Sequence, residues 1–470
     1  MAFELVGVVG LGTMGAGIAE VFARAGIRVT GVEADEQALA RGRDHLDRST
    51  GRALQKGKLT PAERAEILGR VTLTTSRAGL RDADLVIEAV PERMDVKVAL
   101  FTELDGLCKP STVLATNTSS LSVTALAAAT ARPDRVVGMH FFNPAPVMGL
   151  VEVVGTVVTA PGLVSEIADL AVRLGKTPVT VGDRAGFVVN RLLLPYLNHA
   201  VTLLDQGVAG RDDIDNAMKL GVGLPMGPFE LLDLIGLDTA CEIMGVLFEE
   251  SRSDRHVPSP LLRSYVDAGL LGRKSGRGFH GGPADGQPEK AAARTVRVVG
   301  LPELADRLAA AGFKDSDDPD VILVAGGADP GSPKTVRVQL TGQVAQLATS
   351  VLTAQEAVLG ARDLLKIAGY TPVPCRDRAG LVIDALLFAH LNDAVGMYES
   401  GYAAIGDIDA AMRLGCGYPA GPFELLESAG LATVRDGLRA LYAERRSPSL
   451  APAPLLDHLV TAGLTRFPRP

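Results

Sequence analysis

The tetrapeptide Asp183-Arg184-Ala185-Gly186 returns as Asp377-Arg378-Ala379-Gly380. Ile214-Asp215 returns as Ile408-Asp409, the hexapeptide Gly227 to Leu232 as Gly421 to Leu426, and Pro260-Leu261-Leu262 as Pro454-Leu455-Leu456. Every match is displaced by 194 positions, without a gap. A spacing kept over this length means that a folded unit occurs twice. Leu192, Leu193, Tyr196, Ala200, Leu203 and Leu204 mark one face of a long helix, Asp212 to Leu220 reads as a second, and Leu224 to Leu232 opens a third. The repeated unit is therefore all-helical.

Ahead of the first copy, the pattern alternates between strand and helix. Leu5 to Val9 is a buried strand, followed by Gly10-Leu11-Gly12-Thr13-Met14-Gly15, a helix through Ile18 and Phe22, and a second strand ending at Glu33. This is G-x-G-x-x-G in its required context, with an acid about 20 residues on. Gly10 allows the tight turn, Gly12 admits a pyrophosphate, and Gly15 lets helix and strand pack. Glu33 would accept from ribose hydroxyls and repel a 2′-phosphate, which favours NAD over NADP. Further strands near Val86, Val113, Val136 and Val179, and helices over Asp95–Leu107 and Leu163–Leu174, continue a doubly wound sheet.

The chemistry concentrates between Thr116 and Glu152. Val113-Leu114-Ala115 leads to Asn117 and Ser119, Arg135-Val136-Val137 leads to His140, and Val151-Glu152-Val153 follows. In an open α/β sheet, ligands bind beyond the carboxyl ends of the strands. A His, a carboxylate and a hydroxyl converging there could form a general base, its orienter and a hydrogen-bond donor. The rival reading is a core histidine capping a strand. Lys56 and Lys58 suit either a solvated turn or an anionic substrate tail.

A chain of 470 residues exceeds a single core. The expected domains are a dinucleotide-binding domain over 1–182, a helical domain over 183–280, a Gly/Pro-rich linker over 281–294, a reduced α/β segment without a nucleotide motif over 295–376, and the second helical copy over 377–470. The fold class is α/β plus all-α. A net charge of −8 argues against nucleic acid as a partner. The four cysteines show no paired or metal-ligand spacing, so no metal is expected and a reducing, cytoplasmic setting is. The apolar stretch from Val136 to Val164 is too interrupted to span a membrane. The duplication also sorts residues: Asn190 becomes Asp384, and the Gly272–Phe279 basic loop has no counterpart after Leu464, so Asn190 and Lys274 gain weight.

Together, GxGxMGxGIA, IEAVPE, TNTSSL, HFFNPxPVMxLVEV, the Asn190 segment, MGPFELLD and GRKSGRGF resemble the L-3-hydroxyacyl-CoA dehydrogenase family, almost continuously over residues 5–280 and again over 377–464. The resemblance implies NAD-dependent, reversible oxidation of a (3S)-3-hydroxyacyl-CoA to the 3-oxoacyl-CoA, with 3-hydroxybutyryl-CoA or 3-hydroxyadipyl-CoA as substrate, in fatty-acid or phenylacetate breakdown. It implies that His140 is the base, Glu152 its partner, and Ser119 and Asn190 the hydrogen-bonding groups for substrate. Glycines 10, 12 and 15 with Thr13, Met14, Glu33, Glu92, Lys97, Asn117, Asn143 and Lys274 fall where the family meets NAD, and Thr50 and Lys56 where it meets CoA. Glu33 departs from the family's usual Asp. Relatives with one helical domain dimerise through it, so the two copies here are expected to pair within the chain, and a homodimer of the whole chain remains open. The alternative is a dehydrogenase of a free hydroxy or sugar acid, of the gulonate or lambda-crystallin type. A non-catalytic NAD-binding protein would have no use for the Ser119, His140, Glu152 and Asn190 set.

Overall fold

The computed structural model describes residues 3–281, 295–326 and 332–468. The expected linker therefore lies, apart from Gly281, outside the described residues. The chain forms two compact units, one of Met1–Arg191 with Ser400–Cys416 and one of Leu192–Glu399 with Gly417–Pro470.

The first unit holds an eight-stranded sheet: β1 (Leu5–Val9), β2 (Arg28–Val32), β3 (Val71–Thr74), β4 (Leu85–Glu88), β5 (Val113–Thr116), β6 (Val136–Phe141), β7 (Leu150–Gly155) and β8 (Thr177–Gly182), in the order β3-β2-β1-β4-β5-β6-β7-β8. Strand order reverses between β1 and β4, which leaves a crevice at their carboxyl ends. Strands β4, β5 and β6 are buried along their whole length, as their near-continuous apolar runs require of a covered sheet. One pairing breaks the parallel pattern: β7 runs antiparallel to β6, and β8 runs parallel to β7, so these two strands run opposite to the other six. A short hydrophobic run carries no mark of direction, and the expected doubly wound sheet did not include this reversal.

The second unit contains β9 (Val296–Val299), β10 (Val321–Ala325), β11 (Thr335–Thr341), β12 (Val344–Thr349) and β13 (Thr371–Arg376), in the order β13-β12-β11-β10-β9. Only β11 and β12 pair antiparallel. This is the β4–β8 half of the first sheet in order and direction. Strand β12 begins 194 residues after β7, β13 after β8, and the helix Gln355–Ile367 after the helix Pro161–Arg173. The duplication therefore starts well before Asp377, where the sequence first reveals it. Nothing among the described residues corresponds to the strand and glycine loop that open the first sheet.

The repeated helical residues repeat their bonds. Asn198 Nδ2 donates to Val257 O at 2.8 Å, and its Oδ1 accepts from Ser259 N at 2.8 Å. Asn392, 194 positions on, donates to Ala451 O at 2.9 Å and accepts from Ala453 N at 2.8 Å. In the Gly-Pro-Phe-Glu turns, Glu230 and Glu424 each cap a helix by accepting from the amides of Gly227 and Gly421. These shared residues serve the fold. Phe279 packs on Phe229 at 4.8 Å and donates its amide to Asp233; Phe467 packs on Phe423 at 4.9 Å and donates to Glu427. Phe467 follows Leu464 by three residues, whereas Phe279 follows the equivalent Leu270 by nine. The second copy has thus lost the loop around Lys274 and kept the aromatic plug beyond it.

Candidate active site

The pairing of β6 with β7 sets His140 directly opposite Glu152. Neighbouring antiparallel positions bring their side chains within reach. Nδ1 of His140 lies 2.7 Å from Oε2 of Glu152. Oε1 of Glu152 accepts from the amides of Val188 and Val189, both at 3.0 Å, at the start of the helix Val189–Asp205. A helix N-terminus favours a carboxylate. Glu152 is fully buried and His140 is 7% exposed. With the carboxylate accepting from Nδ1–H, the lone pair falls on Nε2, which has no partner among the described residues. The Phe142 and Phe187 rings flank the imidazole, with centroids at 4.5 and 5.7 Å. Phe187 has φ +45°, and its repeat mate Leu381 has φ +47°, so this backbone strain belongs to the fold rather than to the site.

Asn117 and Ser119 follow β5. Asn117 Oδ1 accepts from the amide of Phe141 at 2.8 Å, which ties its loop to the residue after His140. The Ser119 amide donates to Glu92 at 3.0 Å, and its hydroxyl has no partner among the described residues. Asn190 follows Val189 directly and is half-buried. Its side-chain amide is likewise unpartnered among the described residues. Glu92 also accepts from Thr118 and Ser120 and lies 3.2 Å from Lys97 Nζ.

Lys97 itself is 1% exposed and 2.5 Å from the fully buried Glu88. Its ammonium therefore faces two carboxylates and presents almost no surface to a ligand. Glu88 also accepts from Thr116 at 2.8 Å and Val90 N at 2.7 Å. Burial pushes the Glu88 carboxyl up despite Lys97. At Glu92 burial also acts upward, but Lys97 and the loop hydrogen bonds outweigh it and hold its carboxyl low. Glu88 escaped the sequence reading, although it begins the tripeptide before Pro91-Glu92.

The crevice beside β1 fits a dinucleotide. Gly10 has φ +86°, and a Cβ there would meet Ala89 O at 2.8 Å. A Cβ on Gly15 would fall 1.7 Å from Gly10 O, while one on Gly12 would meet nothing within 4 Å. The helix that begins at Thr13 and Met14 has no side-chain cap, so its first amides face that space. Glu33 directly follows β2 and accepts from Leu11 N at 2.5 Å, beside the glycine turn.

Asn143 is exposed two residues beyond β6. Lys274 belongs to the second compact unit, where it pairs with Asp238. Lys56 is exposed at the end of the helix Glu36–Gln55. Thr50 is completely buried in that helix; its hydroxyl donates to Leu46 O at 2.8 Å and accepts from Arg64 at 3.1 Å. No surface of Thr50 is left to meet a ligand. All four cysteines are free thiols. Among the described residues no group of side chains could hold a metal, and no helix is long and apolar enough to cross a membrane.

Residues 5–184 match the family model of the 3-hydroxyacyl-CoA dehydrogenase NAD binding domain, and residues 186–281 and 380–467 both match that of its C-terminal domain. The chain is 36% identical, over 94% of its own length and 95% of the relative's, to the 3-hydroxyadipyl-CoA dehydrogenase of Escherichia coli K12. It is 48% identical to the 3-hydroxybutyryl-CoA dehydrogenase of Mycobacterium tuberculosis, over 59% of this chain and 98% of that one. The crystal structure of 3-hydroxybutyryl-CoA dehydrogenase from Escherichia coli K12 superposes with a TM-score of 0.85 at 34% identity, covering 98% of this chain and all of that one. The chain thus belongs to the 3-hydroxyacyl-CoA dehydrogenase family and is an NAD-dependent oxidoreductase.

Proposed function

We propose that the chain oxidises (3S)-3-hydroxyacyl-CoA to 3-oxoacyl-CoA with His140 as the general base. The observation that carries this reading is the 2.7 Å contact between Nδ1 of His140 and the buried Glu152 carboxylate. It leaves Nε2 basic, and the carboxylate stabilises the imidazolium once the 3-hydroxyl proton has arrived. Ser119 and Asn190 bring uncommitted polar groups to the same end of the sheet and orient the 3-oxygen and thioester. NAD, when bound, accepts the hydride leaving C3. The glycine turn of Gly10, Gly12 and Gly15, with Thr13 and Met14, holds its pyrophosphate, and Glu33 its ribose. Glu92, Asn117 and Asn143 line its nicotinamide side. Lys97 acts through Glu92, and Lys274 and Lys56 supply positive charge for anionic ligands.

The nearly full-length match to a 3-hydroxyadipyl-CoA dehydrogenase favours a short acyl-CoA, either that dicarboxylic ester or 3-hydroxybutyryl-CoA. The domains on this reading are 1–182, 183–280, 295–376 and 377–470, with the helical copies paired as a built-in dimer. Supporting contacts run from copy to copy: Arg255 to Asp393, Asp254 to Ser449 at 3.2 Å, and the Tyr196 ring to that of His390 at 5.5 Å. Free thiols suit a cytoplasmic enzyme. NADH formation from each CoA ester and from free 3-hydroxybutyrate, with wild type and His140→Ala, tests the reading. Turnover of an ester that the variant loses supports it. Turnover of the free acid alone would move the assignment to a free-acid dehydrogenase.

A further inference from the structure

The second helical copy does more than repeat the first. Residues Ser400–Cys416, which lie inside it, form one compact unit with the sheet that bears His140. The helix Ile405–Cys416 packs against β7 and β8 of that sheet, and Gly415 sits in a tight contact there. A Cβ on Gly415 would fall 2.9 Å from Val189 Cγ2, 3.1 Å from Leu150 Cδ2 and 3.6 Å from the Phe142 ring. Each of these residues is one step from the catalytic pair. The Val189 amide donates to Glu152, Leu150 starts the strand that carries Glu152, and Phe142 packs against the His140 imidazole. The segment is also pinned at its other end. Tyr402 Oη donates to Gly182 O at 2.8 Å, and the Arg184 guanidinium lies over its ring at 4.7 Å.

We propose that this helix is a positioning element for the His140–Glu152 pair, with Gly415 as its positioning residue, so that the second helical copy completes the active site. The proposal rests on the assignment of that pair as the acid–base machinery. Helix backbone pressed onto Val189 and Phe142 holds the carboxylate's two amide donors and the face of the imidazole in one geometry, and it closes that side of Glu152 to water. Cys416, the next residue, is a partly buried thiol pushed upward first by burial and then by the charge of Glu152, as expected of a group near that carboxylate.

The duplication supplies a control. Gly221 lies 194 residues before Gly415, and a Cβ there would fall 2.7 Å from Ile383, the repeat mate of Val189. The sheet that Gly221 meets carries no acid–base pair. Gln346 stands in the register of Glu152, and Gln339, opposite it, donates to Asp384 at 2.9 Å. The tight contact with the equivalent helix-start residue is kept and the chemistry is absent.

The test compares Gly415→Ala with Gly221→Ala in the full chain, reading Tm, kcat and KM for NAD and for the acyl-CoA. Both variants should lose thermal stability. Gly415→Ala should lower kcat at least tenfold with KM for NAD changed less than twofold, and Gly221→Ala should keep kcat within twofold of wild type. Trimming the opposing side chain, in Gly415→Ala/Val189→Ala, should restore most of kcat. A folded Gly415→Ala with wild-type kcat overturns the proposal, as do equal losses in both variants or a double variant that regains stability without turnover. If Gly415→Ala does not fold, Cys416→Ala against its repeat mate Val222→Ala carries the same comparison: at least a threefold loss of kcat in the first alone is expected, and equal effects overturn it. Turnover retained by His140→Ala would instead remove the assignment beneath the proposal, so the two failures are distinguishable.

Discussion

Replacing Glu152 by Gln should leave the fold nearly intact and the chemistry crippled. The second sheet shows that an amide can do the structural part. Gln346 Oε1 accepts from Val382 N and Ile383 N, both at 3.0 Å, as Glu152 Oε1 accepts from Val188 N and Val189 N. Gln at 152 would keep its oxygen on those two amides and turn its NH2 towards His140 Nδ1. A donor facing Nδ1 forces the ring proton onto Nε2, the atom that must accept the substrate proton. The loss includes one charge-assisted hydrogen bond, about 1.5–3 kcal/mol. Adding an unfavourable tautomer gives a total of about 3–5 kcal/mol, and each 1.36 kcal/mol is a factor of ten, so kcat should fall about 10²- to 10⁴-fold. Steady-state NADH formation with saturating acyl-CoA, beside a thermal melt, measures both effects. A folded Glu152→Gln within threefold of wild-type kcat would refute the role assigned to the carboxylate. A melt that collapses would refute the structural equivalence with Gln346.

Lys97→Met strands the fully buried Glu88 without its cation and should destabilise the chain by about 3–5 kcal/mol in urea unfolding; Lys97→Met/Glu88→Gln should recover most of this, because the amide still serves Thr116 and Val90. Ser119→Ala should leave stability within about 0.5 kcal/mol, since the hydroxyl has no partner among the described residues, and should lower kcat/KM about 10²-fold through the lost substrate contact. Asp215, whose carboxyl burial pushes up from near 3.8 to about 6, makes stability depend on pH. A raised acid pKa means that the folded state holds the proton more tightly, so stability falls as pH climbs from about 4 through 6 and stays lower above, by about 3 kcal/mol at most. Asp215→Asn can still accept from Phe229 N, so in melts taken from pH 4.5 to 8 it should gain on wild type as pH rises; a constant difference would refute the burial argument.

Some of this was legible in the residues and some was not. Local rules sufficed where the information is local. Gly10, Gly12 and Gly15 need their strand and helix as immediate neighbours. The meeting of His140 and Glu152 rests on a strand reversal, and nothing in Leu150–Gly155 distinguishes antiparallel from parallel. Lys97 and Thr50 read as ligand contacts because their positions match the family's, but burial is set by tertiary packing and consumed both side chains. The earlier start of the duplication was hidden for a related reason. Val344–Thr349 and Leu150–Gly155 keep the pattern of a buried strand while all six residues differ, so the register is preserved and the identities are not.

Gly415 and Val189 are 226 residues apart in sequence and belong to one polypeptide. Two molecules that exchanged such a contact would separate on dilution, and their turnover per site would fall with them. Here the tether fixes the local concentration of the helix at its docking face, commonly in the millimolar range for linked partners. Specific activity should therefore stay level however far the enzyme is diluted, and an excised catalytic half would have to regain by mass action what the intact chain receives from its own connectivity.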